Sequence, residues 1–167
     1  VEIDDGIEFD AAEATAVVIR DEDAYTGVRV SLMASLDRAR LPFHVDVSVG
    51  DPIYPAPQDV ELPRLLGGTI HVRGYPLGLV HAEKIVTALA RGTVNTRWRD
   101  FVDVVGLSRE HAVAGDELVQ AINEVARHRG VDLEPLAVVL DGYGDLGQRR
   151  WAAWRRKQQL EDRMPEQ

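Results

Sequence analysis

The chain has 167 residues, 45% of them hydrophobic and 28% charged, and no cysteine. That balance is ordinary for a globular protein with a core of its own, and it excludes disulfides, thiolate chemistry and thiolate-held metal. The net charge of −9 works against non-specific nucleic-acid binding, but residues 1–63 hold 14 acids and four bases whereas the rest holds 14 acids and 15 bases.

No apolar run reaches the roughly 20 residues that a membrane helix needs, and "VEIDDGIEFD" lacks the basic and apolar segments of a signal peptide. The cytoplasm is therefore the expected compartment. Without repeats or a long linker, residues 1–167 read as one domain, mostly strands over 1–75 and mostly helices over 76–167.

Short strands are predicted at Ile7–Phe9 and Ala16–Ile19. "AYTGVRVSLMASL" alternates, with Val28, Val30, Leu32, Ala34 and Leu36 on one face and Arg29, Ser31, Met33 and Ser35 on the other. "DRARLP" turns the chain, and "FHVDVSVGD" alternates again, Phe43, Val45, Val47 and Val49 opposing His44, Asp46 and Ser48. The two runs predict an antiparallel hairpin with a short loop. The proline-rich "PIYPAPQDVELPRLLGG" is expected to be irregular, and "TIHVRGYP" to be a short strand closed by Pro76.

"LGLVHAEKIVTALARG" has helical spacing and Gly92 as its stop, and a second helix is expected over "RWRDFVDVVGL", capped by Asn95 or Thr96. Trp98, Phe101, Val102 and Val105 fall at i, i+3, i+4 and i+7, the spacing of a buried face. A third helix runs from about Asp116 to Gly130, "LEPLAVVLDGYGDL" holds a short one, and "QRRWAAWRRKQQLEDR" is the last. Strands followed by helices are an α+β order: an antiparallel or mixed sheet ahead of a helical C-terminal part.

Several residues are candidates for chemistry. Asp46 lies mid-strand on the polar side, where a carboxylate is held well enough to bind metal or act as a base, or where it simply faces water. Asp51 reads as a turn residue. Lys84 opens one helix and Asp100 lies in the first turn of the next, with Asp103 one turn on and Arg99 four residues before it. These charges form either a site or an ordinary solvated helix surface. Arg91, Arg97 and Arg99, and the "RRWAAWRRK" strip, supply guanidinium groups suited to phosphate. Trp151 and Trp154 read as core-facing anchors. The five histidines show no HxxxH or HExxH spacing, "GYGDLG" lacks a strand–loop–helix setting, and no GxSxG occurs.

Taken in order, "FHVDVSVGD" and "YPLGLVHAEKIVTALARGTVNTRWRDFVDV" resemble the bacterial AbiEii nucleotidyltransferase-like toxin family, which includes the MenT toxins and is a branch of the DNA polymerase β-type nucleotidyltransferases. The resemblance spans about residues 25–105. It is carried by a strand with a lone Asp (Asp46), an "AEK" helix start (Ala82–Lys84) and an R-x-[KR]-D-x-x-D segment (Arg97–Asp103). It implies a Mg²⁺-dependent transfer of a nucleotide from an NTP to an RNA acceptor, the 3′ end of tRNA in several members, and a cognate antitoxin. Lys84 would meet triphosphate charge with Arg97 and Arg99. Asp100 would orient Lys84 or act on the acceptor hydroxyl, Asp46 would be a metal carboxylate, and Asp103 is a secondary candidate.

The family's Gly-Ser turn and D-x-D strand normally lie upstream of these segments and are not visible in this chain. The expectation is either a shortened chain, or a family member acting without catalysis as an antitoxin- or RNA-binding module. An open sheet edge could then pair with a second copy as a homodimer.

Overall fold

The structure is a computed structural model that describes residues 6–20, 26–48, 50, 52–65 and 67–164. Val49 and Asp51 lie outside the described residues. The backbone divides into two compact units, Val1–Asp51 and Pro52–Gln167.

The first unit is a three-stranded antiparallel sheet, β1 (Ile7–Arg20), β2 (Thr26–Leu36) and β3 (Ala39–Ser48), in the order β1-β2-β3. The register pairs Val28 with Val47, Val30 with Val45, Leu32 with Phe43 and Ala34 with Leu41, so the apolar positions of β2 and β3 share one face. Asp37 and Arg38 make a two-residue turn, and Asp37 has φ of +51°, a region that aspartate tolerates better than most side chains. The tight turn starts β3 at Ala39, ahead of the expected Phe43. Pro42 fits because β3 has a neighbour on one side only within this sheet.

The two short strands expected at the N-terminus are one strand with an irregularity. Asp10 pairs with Met33 and Thr15 with Ser31, so residues 11–14 of β1 face Leu32 alone. The Asp10 carboxylate holds the excursion by accepting the Ala12 and Glu13 backbone N–H at 3.0 and 3.2 Å. The extra residues change the alternation from odd to even. Ile7 and Phe9 before the excursion, and Ala16 and Val18 after it, are thereby all aligned with the apolar positions of β2. Phe9 reaches the Phe43 ring edge-on at 5.8 Å between centroids, over the buried Ala34.

The second unit opens with a two-stranded sheet of β4 (Gln58–Pro63) and β5 (Thr69–Gly74). The proline-rich segment is therefore ordered into a strand over its second half: Pro63 stands at the end of β4, where a missing N–H does not interrupt the ladder. The helices are α1 (Leu77–Arg91), α2 (Trp98–Glu110), α3 (Gly115–Arg129), α4 (Leu136–Val139) and α5 (Tyr143–Lys157), with a 3₁₀ turn over Gly92–Val94. The α+β order expected from the sequence is the order found.

Helices α1 and α3 make the core. Leu79, Ala82 and Val86 pack against Ala121, Val125 and Ala126, with Ile122 and Val131 closing the sides. Three alanines in this set let the helices approach closely, and the leucine and valines fill what remains. Gly130, with φ of +61°, ends α3 in the left-handed conformation that glycine adopts without strain.

Two expectations about the aromatic residues change. Trp98, Phe101, Val102 and Val105 do share a face, but that face lines a cleft with α5 and is only half-buried. Trp151 and Trp154 stack on each other at 5.5 Å and neither is fully buried. The last helix also starts at Tyr143, earlier than Gln148, and stops at Lys157. Gly142, with φ of +71°, provides the sharp entry, so "GYGDLG" is a helix start and no phosphate loop.

Candidate functional site

The sequence of α1 puts its core residues at 79, 82 and 86, which leaves Lys84 off that face and directed at α2. The short turn Gly92–Val94 then reverses the chain so that the first turns of α2 pass beside the middle of α1. Asn95 sets the start of α2: its side chain is 2% exposed and its Oδ1 accepts the Arg97 backbone N–H at 2.9 Å. The helix cap expected at Asn95 or Thr96 falls instead at Arg97, which makes no side-chain capping bond, and Asn95 braces the turn two residues ahead of it. The Tyr143 hydroxyl donates to the Asn95 carbonyl oxygen at 2.6 Å and ties α5 to the same turn. Burial pushes the Tyr143 hydroxyl up to about 12, against a smaller opposite pull from the Arg150 charge.

On this frame the charged residues converge. The Lys84 ammonium, on a side chain 20% exposed, donates to Asp100 Oδ1 at 2.9 Å and to Asp103 Oδ2 at 2.8 Å. Arg97 Nε donates to the other oxygen of Asp100 at 2.7 Å. Asp100 is 11% exposed and has both oxygens taken by cations, while Asp103 is 35% exposed and more open to solvent. The four side chains sum to zero charge. Burial alone presses the Lys84 ammonium towards neutrality, and the bonds to Asp103 and Asp100 outweigh it, so its pKa lies above the ordinary lysine value of 10.5. Lys84 is therefore a fully charged, well-held cation at neutral pH. Two of its three N–H donors are used in these bonds. Arg99 is exposed on the same helix turn and takes no part in them.

Asp46 belongs to the sheet unit. The β2–β3 register sets Arg29 directly across from it, and the guanidinium grips the carboxylate with two bonds, Nε to Oδ1 at 2.6 Å and Nη2 to Oδ2 at 2.7 Å. The hydrogen bond from Arg29 holds the Asp46 carboxyl below its ordinary value of 3.8. A carboxyl with a depressed folded pKa adds stability above the unfolded pKa, and that contribution disappears as pH falls through the folded value. In an NMR titration, Asp46 is expected to protonate below 3.8; Arg29→Gln should return it to the ordinary aspartate range near ~3.9. An unchanged midpoint in the variant would show that Arg29 does not control this carboxylate.

These bonds bear on a metal. Mg²⁺ takes hard oxygen ligands in near-octahedral geometry. Both oxygens of Asp46 are held by Arg29, and both of Asp100 by Lys84 and Arg97. Among the described residues no three His, Asp or Glu side chains converge as a cation site. The described residues thus do not fit a divalent ion by themselves.

Sequence patterns gave no site role to four residues of this frame. Arg29 was placed only on the polar face of its strand, Asn95 only as a possible helix cap, and Tyr143 only within "GYGDLG". His81 is 3% exposed: its Nδ1 sits 3.1 Å from the Leu77 carbonyl and so carries the proton, and Nε2 meets Ser108 Oγ at 3.1 Å, joining α1 to α2. No spacing rule singles out a histidine whose partners are a main-chain oxygen and a serine 27 residues away.

A family model described as "Nucleotidyl transferase AbiEii toxin, Type IV TA system" matches residues 2–166. The chain belongs to the AbiEii nucleotidyl transferase toxin family. That family places it in a type IV toxin–antitoxin system and implies an antitoxin partner. No curated protein and no solved structure matches the chain. None of its described helices is long and apolar enough to cross a membrane.

Proposed function

We propose that the Lys84–Asp100–Asp103–Arg97 cluster is the triphosphate-handling part of a nucleotidyl-transfer site, and that the acceptor is an RNA, with the 3′ end of tRNA as the first candidate. The reading rests on one observation: a lysine held by two carboxylates, one of them locked from behind by an arginine, in a chain of a nucleotidyl transferase family.

Phosphoryl and nucleotidyl transfers depend mainly on positioning and on neutralising charge. Lys84 supplies the cation, and Asp100 acts as its positioning residue, because Arg97 fixes the carboxylate that fixes the ammonium. Asp103 is the more exposed of the two partners, so it is the one an incoming phosphate displaces. Asp100 has a charged donor on each oxygen, which favours the orienting role over the base role. Arg99 stands exposed one residue before Asp100, placed for contact with phosphate outside the cluster.

Purified tRNA is incubated with the protein and each α-labelled NTP in turn, with Mg²⁺ in the buffer. Transfer of label is expected with at least one NTP. Lys84→Met keeps the apolar stem and deletes the charge; it should lower transfer by about 10²-fold or more, the scale for losing one electrostatic contact in a polar transition state. No label from any NTP, or full activity in Lys84→Met, would sink the assignment.

A second reading, a family member that binds antitoxin or RNA without catalysis, is favoured by one observation: the candidate carboxylates Asp46 and Asp100 already have protein donors on both oxygens. RNA binding without transfer would support it.

A further inference from the structure

The cleft between α2 and α5 is lined by none of the four charged residues of the cluster. It is a cavity of about 230 Å³ with an almost wholly apolar lining. Its walls are rings. Trp98 stacks on Tyr143 at 5.5 Å and 23°, and Trp151 stands against Trp98 at 6.1 Å and 54°. Phe101 meets Tyr143 at 5.6 Å. Gly147 is what lets the tryptophan in: a Cβ there would fall 2.8 Å from Trp98 Cη2, inside any real contact distance. The slot is therefore built by the sequence of both helices, a ring at 98 answered by a glycine at 147.

The helix that forms one wall is cationic: α5 carries Arg149, Arg150, Arg156 and Lys157, all exposed, and Arg155 Nη1 donates to the carbonyl oxygen of Met164, itself a lining residue, at 3.0 Å. An aromatic slot walled by a cationic helix suits a flat π-system attached to a negatively charged chain. A folded peptide segment would bring main-chain amides that the apolar walls cannot satisfy, whereas an unstacked base presents π faces to the rings and leaves its polar edge at the open mouth.

Resting on the nucleotidyl-transfer reading above, we propose that this α2–α5 slot stacks an unpaired base of a single-stranded RNA acceptor, with the arginines of α5 on the adjoining phosphates. The lining offers almost no hydrogen-bonding groups, so the slot holds any base with little discrimination. It positions the acceptor strand and does not select its sequence.

The test is binding of a fluorescein-labelled single-stranded RNA of about a dozen nucleotides, followed by anisotropy at two salt concentrations without NTP. RNA binding should quench tryptophan fluorescence. Trp98→Leu and Trp151→Leu keep an apolar filler and delete a π face; each should weaken binding roughly tenfold, within the range of one lost base stack. Arg150→Gln should weaken it less and lower the slope of log K against log salt by about one. Circular dichroism reports on folding; if Trp98→Leu does not fold, Trp151→Leu and the quenching carry the test. RNA affinity unchanged in a folded slot variant would overturn the proposal, as would slot variants that lose antitoxin or self-association while keeping RNA. The transfer assay separates the two readings. RNA binding through the slot without nucleotide transfer ends the catalytic reading and leaves this one, whereas transfer with no change in RNA KM on Trp151→Leu ends this one alone.

Discussion

Replacing Asp100 with alanine is expected to destabilise the helical unit by about 2–4 kcal/mol, measured as a lower urea midpoint at unchanged m. Truncating one partner of a buried ion pair costs roughly 3–5 kcal/mol, because the remaining charge is left desolvated and alone. Asp100 is nearly that well buried and serves two cations at once, Lys84 on one oxygen and Arg97 on the other. The cost falls below the full figure because Lys84 keeps Asp103 and because the Arg97 side chain, 44% exposed, can return to water. Asp103→Ala should cost less than about 1 kcal/mol, since Asp103 is more exposed and Asp100 still holds the lysine. A loss below that level for Asp100→Ala, or equal losses for the two variants, would mean that the cluster is only a charged surface. Asp100→Asn tests charge apart from shape: it keeps the packing and still leaves two cations with a neutral partner. Its effect on stability should lie close to that of alanine.

Leu79→Ala is the second large effect, an expected loss of about 3–4 kcal/mol. Leu79 is the largest side chain in a core otherwise made of two valines and three alanines, and it is completely buried. Alanines packed at close range cannot move in to fill the space, so both the transfer free energy and the cavity are felt. The same helix carries Lys84 one and a half turns later, so loosening α1 should lower transfer as well as stability, with Lys84 itself intact. Denaturation by urea checks the first, and the labelled-NTP assay under folding conditions checks the second. A loss under about 1.5 kcal/mol would show that the α1–α3 contact relaxes around the gap.

The legible parts of the fold were those where one physical rule acted alone. The alternation in β2 and β3 fixed their faces, and the resulting hairpin carries Asp46 where the pattern put it, on the polar side. What the pattern did not reveal was the cross-strand register, which gives Asp46 to Arg29: register depends on the turn length, and the turn is four residues shorter at its far side than "DRARLP" suggests. Lys84, Asp100 and Asp103 were marked as one group because a glycine-turned helix pair brings such positions together. Arg97 joined them through its bond to Asp100, while Arg99, two residues further along, did not.

Elsewhere two rules competed. Helical spacing correctly aligned Trp98, Phe101, Val102 and Val105, but alignment on a face does not say how completely another element covers it, and α5 covers it only in part. The proline content of residues 52–63 argued against a strand, yet the β4–β5 pairing places Pro63 at the end of its ladder. The two histidine bonds of His81 and the buried Asn95 depend on contacts between helices, for which no local pattern exists.

The excursion in β1 has a consequence for how that segment can change in length. Four residues face one, a surplus of three, and an odd surplus is what brings Ile7 and Phe9 into line with Ala16 and Val18. Losing or gaining two residues between Asp10 and Thr15 preserves that phase. Losing or gaining one inverts it, turning Ile7 and Phe9 over to the side of Glu8 and Asp10 and separating Phe9 from Phe43. Length variation at this point is thus read in pairs, much as a reading frame is read in threes.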